Sequence, residues 1–408
     1  MTSTLFRGGT LLDGTGATPA VADVLIREGR VVDVGIDLDG ADLRGEIDDV
    51  VDCAGCTVLP GLFDCHVHVL FDQINLLRML QTPFSYPYYQ AIGRLRATLA
   101  TGVTWVRDAG GADLGVADAL RTGLISGPRM QVALTMISQT GGHGDGVQPC
   151  GIDVPLFGAH PGRPRAVVDG SDDMRRVVRE LVRAGADVIK VATSGGVMSP
   201  RSDPRHGHFR DAEIETLVAE ASAAGLFVMA HAQATDGIKV AVRNGVRSVE
   251  HGIYLDDEAI EMMLDHGTWL VPTLSAPRAV IAQADAGAPL SDAAIAKARM
   301  VTEAHDDSIR RAIAAGVTIA MGTDSGVGPH GTNLEELALM ASLGMDPLDA
   351  WVATTSSAAR LLGVQADYGT LEPGKVGDVV VLEGAYDDLS GLRERVREVY
   401  QDGVRVAD

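Results

Sequence analysis

Residues 172–193 read DDMRRVVRELVRAGADVIKVAT. The stretch 172–184 is rich in Ala, Leu, Arg and Glu and predicts a helix; Gly185 supplies the left-handed stop; 188–193 predicts a strand. The same unit recurs along the chain. Helical stretches lie at 211–224 and 256–265, and Gly102, Gly225, Gly245, Gly267 and Gly316 each lead into a strand. With 188–193, the strand candidates are 58–68, 103–108, 130–138, 227–232, 248–251, 269–274 and 318–323. Eight strand–loop–helix units imply an α/β fold, a closed (β/α)8 TIM barrel. An open doubly wound sheet is the alternative, but no Gly-x-Gly-x-x-Gly opens a first helix.

The two ends of the chain follow another pattern. Residues 3–7, 22–27 and 30–36 are strand-like, with a hairpin signal at Arg27-Glu28-Gly29-Arg30. Residues 369–371, 378–382 and 396–406 resemble them, with turns at Glu372-Pro373-Gly374-Lys375 and Asp402-Gly403. Neither end has enough alternating apolar residues to close a core alone. Together they predict a small β-sandwich, so the expected domains are 1–57 plus 361–408 and a barrel over 58–360.

Length and composition agree with such an architecture. The chain has 408 residues, 46% hydrophobic and 22% charged, which is ordinary globular usage. Its net charge of −21 opposes binding to nucleic acid or anionic lipid. The N-terminus shows no signal peptide, and no apolar run approaches a bilayer span. Cys53-Ala54-Gly55-Cys56 has metal or redox spacing, but no second pair completes a zinc site, so both read as buried small hydrophobes. The expected compartment is cytoplasmic.

The polar residues of interest fall at strand ends. His66 and His68 are two apart, so both imidazoles face one side of a strand. Lys190 lies inside Val188-Ile189-Lys190-Val191-Ala192, where an unpaired ammonium is costly to bury. His231, His251 and Asp324 end the fifth, sixth and eighth strand candidates. Each has an ordinary reading alone: a hydrogen-bonded core histidine, a snorkelling lysine, a helix-capping aspartate. All six at strand ends in this order point to a metal centre.

With these residues in hand, the chain resembles the amidohydrolase superfamily. The resemblance rests on Pro60-Gly61-Leu62-Phe63-Asp64-Cys65-His66-Val67-His68, Lys190, the two later histidines, Gly322-Thr323-Asp324 and the closing segment Leu371-Glu372-Pro373-Gly374-Lys375-Val376-Gly377-Asp378. It implies two divalent ions, usually zinc, with Lys190 carboxylated by CO2 to a bridging carbamate. His66, His68 and Asp324 would hold the more buried ion, and His231 and His251 the other. It also implies attack by a metal-bridging hydroxide, with Asp324 as the catalytic base and acid.

Within the superfamily the chain is most similar to the imidazolonepropionase-related branch with metal-dependent Xaa-Pro and Xaa-Arg/Lys dipeptidases and ochratoxin-type amidases. Gly127-Pro128-Arg129, Gly141-Gly142-His143-Gly144-Asp145 and Lys190–Pro200 carry that similarity. Lys190 favours the dipeptidase side, since imidazolonepropionases usually lack it. The implied reaction is cleavage of a dipeptide or an N-acyl amino acid. Hydrolysis of a carbamate, urea, lactone or phosphoester is the rival within enzymes, and a metal-dead structural homologue the rival outside them. His143 in its glycine-rich loop, Arg201 and Arg205 in the basic loop after the fourth strand, Tyr254 and His330 are the candidate substrate contacts. His160, His266 and His305 are assigned no role. Gln233 stands where some prolidase-like relatives carry an aromatic residue, which argues against strict Xaa-Pro preference. The expected partners are a small-molecule or dipeptide substrate and copies of the same chain in a homo-oligomer, with no nucleic acid and no membrane.

Overall fold

The structure, a computed structural model, describes residues 3–38, 47–72, 76–148, 150–199 and 201–406. Met1, Thr2 and Pro200, quoted or read above, lie outside them. The unit at 172–193 folds as helix Ser171–Ala184, a stop at Gly185 (φ 90°) and strand Val188–Ala192. Gly102, Gly225, Gly245, Gly267 and Gly316 also hold positive φ, so every expected glycine stop is used.

The central strands are all parallel. Met136–Ile137, Val188–Ala192, Phe227–Ala232, Ser248–His251 and Trp269–Val271 form one sheet, and Leu62–Val67, Val103–Asp108 and Arg129–Val132 another. The expected strand 130–138 is broken around Leu134, whose φ is 64°. Backbone bonds join the two sheets at both seams. Asp187 donates to the Val132 carbonyl on one side. On the other, the expected strand 318–323 and the two residues after it form isolated parallel bridges instead of a full strand: Leu270 pairs with Ile319 and Val67 with Ser325. The parallel hydrogen bonding therefore runs a closed circuit through eight segments.

Side-chain alternation sorts the circuit into an outside and an inside. Ile189, Val191, Val228 and Ala230 join the large core shared with the helices. Val188 and Met229 meet Ala109 and Ala133 on the opposite face, inside the circuit. Lys190 and His231 point the same way as Val188 and Met229, two residues further along each strand.

The chain ends build one eight-stranded sheet, in which Cys56–Pro60 lies between Ser3–Leu11 and Val379–Glu383. Three strand spacings separate Ser3–Leu11 from Val396–Gln401, roughly 14 Å in a flat sheet. Yet the Phe6 and Tyr400 rings meet edge to face at 4.8 Å. The sheet therefore curls over a core of its own, with Phe6, Val24, Ile26, Val58, Val379 and Val381 in it.

This sheet corrects the expectation of a single strand over 58–68. Cys56–Pro60 belongs to the curled sheet and Leu62–Val67 to the central circuit. The crossing is at Gly61, where a Cβ would come within 2.3 Å of Thr104 Oγ1. Strand Cys56–Pro60 spans positions 57 and 58, and helix Ser356–Leu362 spans positions 360 and 361. Residues 369–371 form no strand, although Leu371 donates to the Asp13 carbonyl. Cys53 and Cys56 are buried free thiols, as read. Among the described residues, no helix is long and apolar enough to cross a membrane.

Candidate metal centre

His66, His68, His143, Lys190, His231, His251 and Asp324 line one cavity of about 70 Å³. It lies at the C-terminal ends of the central strands, where active sites of closed parallel sheets sit. Each of the four strand histidines has one ring nitrogen engaged away from its neighbours. His68 Nδ1 donates to the Gly110 carbonyl at 2.7 Å, and His231 Nε2 to the Gly195 carbonyl at 3.0 Å. A carbonyl only accepts, so these bonds fix the tautomers and leave His68 Nε2 and His231 Nδ1 as lone pairs. His251 Nδ1 meets Thr273 Oγ1 at 2.7 Å, and that hydroxyl donates onward to the Pro272 carbonyl, so His251 Nε2 is left bare. His66 Nδ1 bonds Glu250 Oε2 at 2.7 Å, and Glu250 is held in turn by Arg107 at 3.0 Å and by Ser248.

Asp324 Oδ1 faces these lone pairs, 3.2 Å from His68 Nε2 and 3.5 Å from His66 Nε2, with no well-directed hydrogen bond. Ligand atoms of His66, His251 and Asp324 lie within 4.8 Å of one another. Lone pairs converging on a carboxylate oxygen in a buried cavity call for a cation between them. Imidazole nitrogens and a carboxylate are donors that zinc and similar divalent ions accept, and the outer partners orient them as metal sites require. The residues therefore fit a metal.

Electrostatics agree at three of the four histidines. At His68 burial acts downward, but Asp324 beside Nε2 outweighs it and raises the ring above the ordinary imidazole value, so Nε2 is a lone pair in the neutral ring only. Burial holds His66, His231 and His251 well below the usual imidazole range, with Lys190 adding to the effect, so they are neutral. For Asp324, burial acts upward, but His66, His68 and Lys190 outweigh it and keep the carboxyl below its ordinary range. Lys190 is 1% exposed, its Nζ has no hydrogen-bond partner among the described residues, and burial lowers it to about 8. At that value the ammonium predominates at pH 7 and roughly one amine in ten is neutral.

The backbone is left-handed at His251 (φ 74°), Thr273 (φ 53°) and Asp324 (φ 58°). Left-handed non-glycine residues cost on the order of 1 kcal/mol or more each and persist where surrounding contacts hold them. His305 Nε2 donates to the His251 carbonyl, and Asp324 N–H to that of His66. Glu250 was not anticipated from sequence. Strict alternation sends positions 250 and 251 to opposite faces, and the left-handed turn at His251 brings both to the centre. The only signal was a buried-type strand, Ser248-Val249-Glu250-His251, carrying an acid. Arg107, Thr273 and the Gly110 carbonyl, which position ligands, were likewise unread. His305, given no role from sequence, lies on helix Asp292–Ala315 and lines the cavity.

The substrate contacts divide. His143 is in the cavity, its ring stacked on His231 at 4.2 Å and laid against Gly196, where a Cβ would come within 2.3 Å of His143 Cε1. Its Nδ1 lacks a partner, and burial lowers its pKa to about 3. Four others are not in the cavity lining. Arg205 is exposed and closes on Asp203 at 2.7 and 3.0 Å. Arg201 is exposed on the same loop. Tyr254 packs beside Val197 and Ile253 outside the lining. His330 Nε2 donates to the Phe71 carbonyl. A basic loop and a strand-end position were the only grounds for these four, and neither sets side-chain direction.

Comparison with known proteins accords with the site. The Amidohydrolase family profile matches residues 57–406. Ochratoxinase of Aspergillus niger is 34% identical over 361 residues, spanning 85% of this chain and 75% of that protein. Imidazolonepropionase of Rhizorhabdus wittichii is 28% identical over 395 residues, spanning 88% and 87%. The crystal structure of a Xaa-Pro dipeptidase with bound methionine in the active site superposes over 100% of both chains with a TM-score of 0.90 and 31% identity. The chain belongs to the amidohydrolase family of hydrolases.

Proposed function

We propose that this protein is a binuclear metal-dependent amidohydrolase that cleaves the amide bond of a dipeptide or N-acyl amino acid. One observation carries the reading: four fixed imidazole lone pairs, Asp324 Oδ1 and the unpartnered Lys190 amine share one buried cavity. The closed circuit of parallel strands is read as a (β/α)8 barrel, and the curled terminal sheet as its β-sandwich companion. His66, His68 and Asp324 would hold one ion, His231 and His251 the other, and Lys190, carboxylated by CO2, would bridge them. Divalent ions held there, zinc by donor type, would supply an acidified water and a polarised carbonyl.

The chain's own residues supply the rest. Asp324, ionised at neutral pH, accepts a proton from the attacking water as the C–O bond forms. It returns that proton to the leaving nitrogen as the C–N bond breaks. Glu250, with Arg107 behind it, keeps His66 in one tautomer. His143, neutral and fixed by Gly196 and His231, offers a nitrogen to the substrate's polar groups. The methionine bound in the active site of the Xaa-Pro dipeptidase supports an amino acid as one product.

The test is turnover of a panel of N-acyl amino acids and dipeptides by metal-loaded protein, beside carbamates, ureas, lactones and phosphoesters. Amide cleavage, with kcat/KM falling roughly 10³-fold in Asp324→Asn, is expected. Turnover confined to the other classes would reject the amide reading while keeping the centre.

A further inference from the structure

One ammonium sits where three carbonyls converge. Lys297, half-buried on helix Asp292–Ala315, donates to the carbonyls of Ser202 at 2.5 Å and Ser199 at 2.8 Å, and to that of Gly196 at a longer 3.5 Å. Among the described residues no carboxylate lies within 4.0 Å of it, and Asp203, next to Ser202, is engaged by Arg205. A lysine ammonium carries three donors, one for each carbonyl. Carbonyl oxygens turned toward one point repel each other, so the cation stabilises the shape of the turn.

The turn so held forms part of the wall of the metal chamber. Val197 and Met198 line it, and Gly196 backs the His143 ring. Ser202 carries the connection inward. Its carbonyl accepts from Lys297, and its hydroxyl accepts the Gly196 N–H at 3.2 Å. That N–H belongs to the same planar peptide group as the Gly195 carbonyl, which accepts from His231 Nε2 at 3.0 Å. The Ser199 hydroxyl bonds that of Ser202 and, at 3.4 Å, the Gly196 carbonyl, so the residues that Lys297 gathers also hold one another. Roughly two turns further along the same helix, His305 donates to the His251 carbonyl. One helix therefore braces the segments that carry or fix both later histidines.

We propose that Lys297 is a positioning residue: a tethered cation that fixes Ser202 and, through it, the peptide group between Gly195 and Gly196, so that His231 presents Nδ1 to the second ion and His143 keeps its place. The assignment rests on the two-ion reading given above, in which His231 and His251 hold that ion. Lys297 itself touches neither ion nor substrate.

The experiment reads the turn and the metal separately, in metal-loaded wild type, Lys297→Met and Lys297→Ala, with Arg299→Ala as a control from the exposed side of the same helix. Arg201 and Arg205 are exposed beside the held carbonyls, so tryptic cleavage after them, located by mass spectrometry, reports how firmly the turn is fixed. Cleavage there should be at least tenfold faster in Lys297→Met and unchanged in Arg299→Ala. Chelator competition should show the second ion bound about tenfold more weakly in Lys297→Met, with the first ion held as in wild type. In Lys297→Ala, methylammonium chloride should restore both readouts, whereas sodium chloride at equal ionic strength should restore neither. A free cation would not replace a side chain that only filled space. Unchanged cleavage in Lys297→Met, faster cleavage with the second ion held as in wild type, or no recovery with methylammonium would each overturn the proposal. If the wild type takes up only one ion while cleavage still responds to Lys297 and methylammonium, the two-ion reading fails and the hold of Lys297 on the turn stands.

Discussion

At the scale of single residues, the site is governed by partners one layer behind the candidate ligands. Glu250 is 0% exposed, fixes His66 Nδ1–H and is itself fixed by Arg107. Glu250→Gln removes the charge that makes His66 a better donor. Metal affinity should fall about 10- to 100-fold, as read by chelator competition, with unfolding midpoint as the control for packing. Glu336 offers a separate check on buried electrostatics. Burial raises it to about 7, although its oxygens accept the Leu274 and Ser275 N–H groups. Its folded pKa lies above the ordinary carboxylate value, so its contribution to stability is full below about pH 4.5 and is lost as pH rises through about 7. The loss amounts to at most about 3 kcal/mol. Denaturant unfolding between pH 4.5 and 8 should show a shallower decline in Glu336→Gln than in wild type; equal slopes would refute the assignment.

At the scale of elements, glycines decide what can meet. A methyl group at Gly196 would press on His143 Cε1 and push the ring off His231. Gly196→Ala should therefore lower kcat/KM by roughly tenfold while the bound metal content stays unchanged. Gly61→Ala acts differently, because Thr104 and Asp378 crowd the crossing between the two sheets. It should destabilise the fold by about 1–3 kcal/mol in denaturant titration. These contacts also show what the sequence could disclose. Helix stops such as Gly185 were legible because they depend on local backbone alone. The spacing of His66 and His68 was legible because alternation along a strand is local too. The break at Gly61 was not, since Val58-Leu59-Pro60 before it and Leu62-Phe63 after it are equally apolar and only pairing with Val379–Glu383 separates the halves. Arg205 misled for a related reason: a basic loop has charge in sequence, but Asp203, two residues away, engages it.

At the scale of the molecule, both chain ends meet in one curled sheet, and the site lies at the strand ends of the separate central circuit. Phe6 against Tyr400 closes that sheet on itself. Phe6→Ala should cost about 3–5 kcal/mol in unfolding free energy. The candidate ligands, by contrast, come from segments between Leu62 and Asp324. The central claim is that Lys190 joins two ions in one cavity. Elemental analysis of metal per chain, on wild type and Lys190→Ala purified in parallel, tests it most directly. Two ions per wild-type chain are predicted, with no more than one in the variant. One ion or fewer in the wild type, unchanged by the substitution, would contradict it.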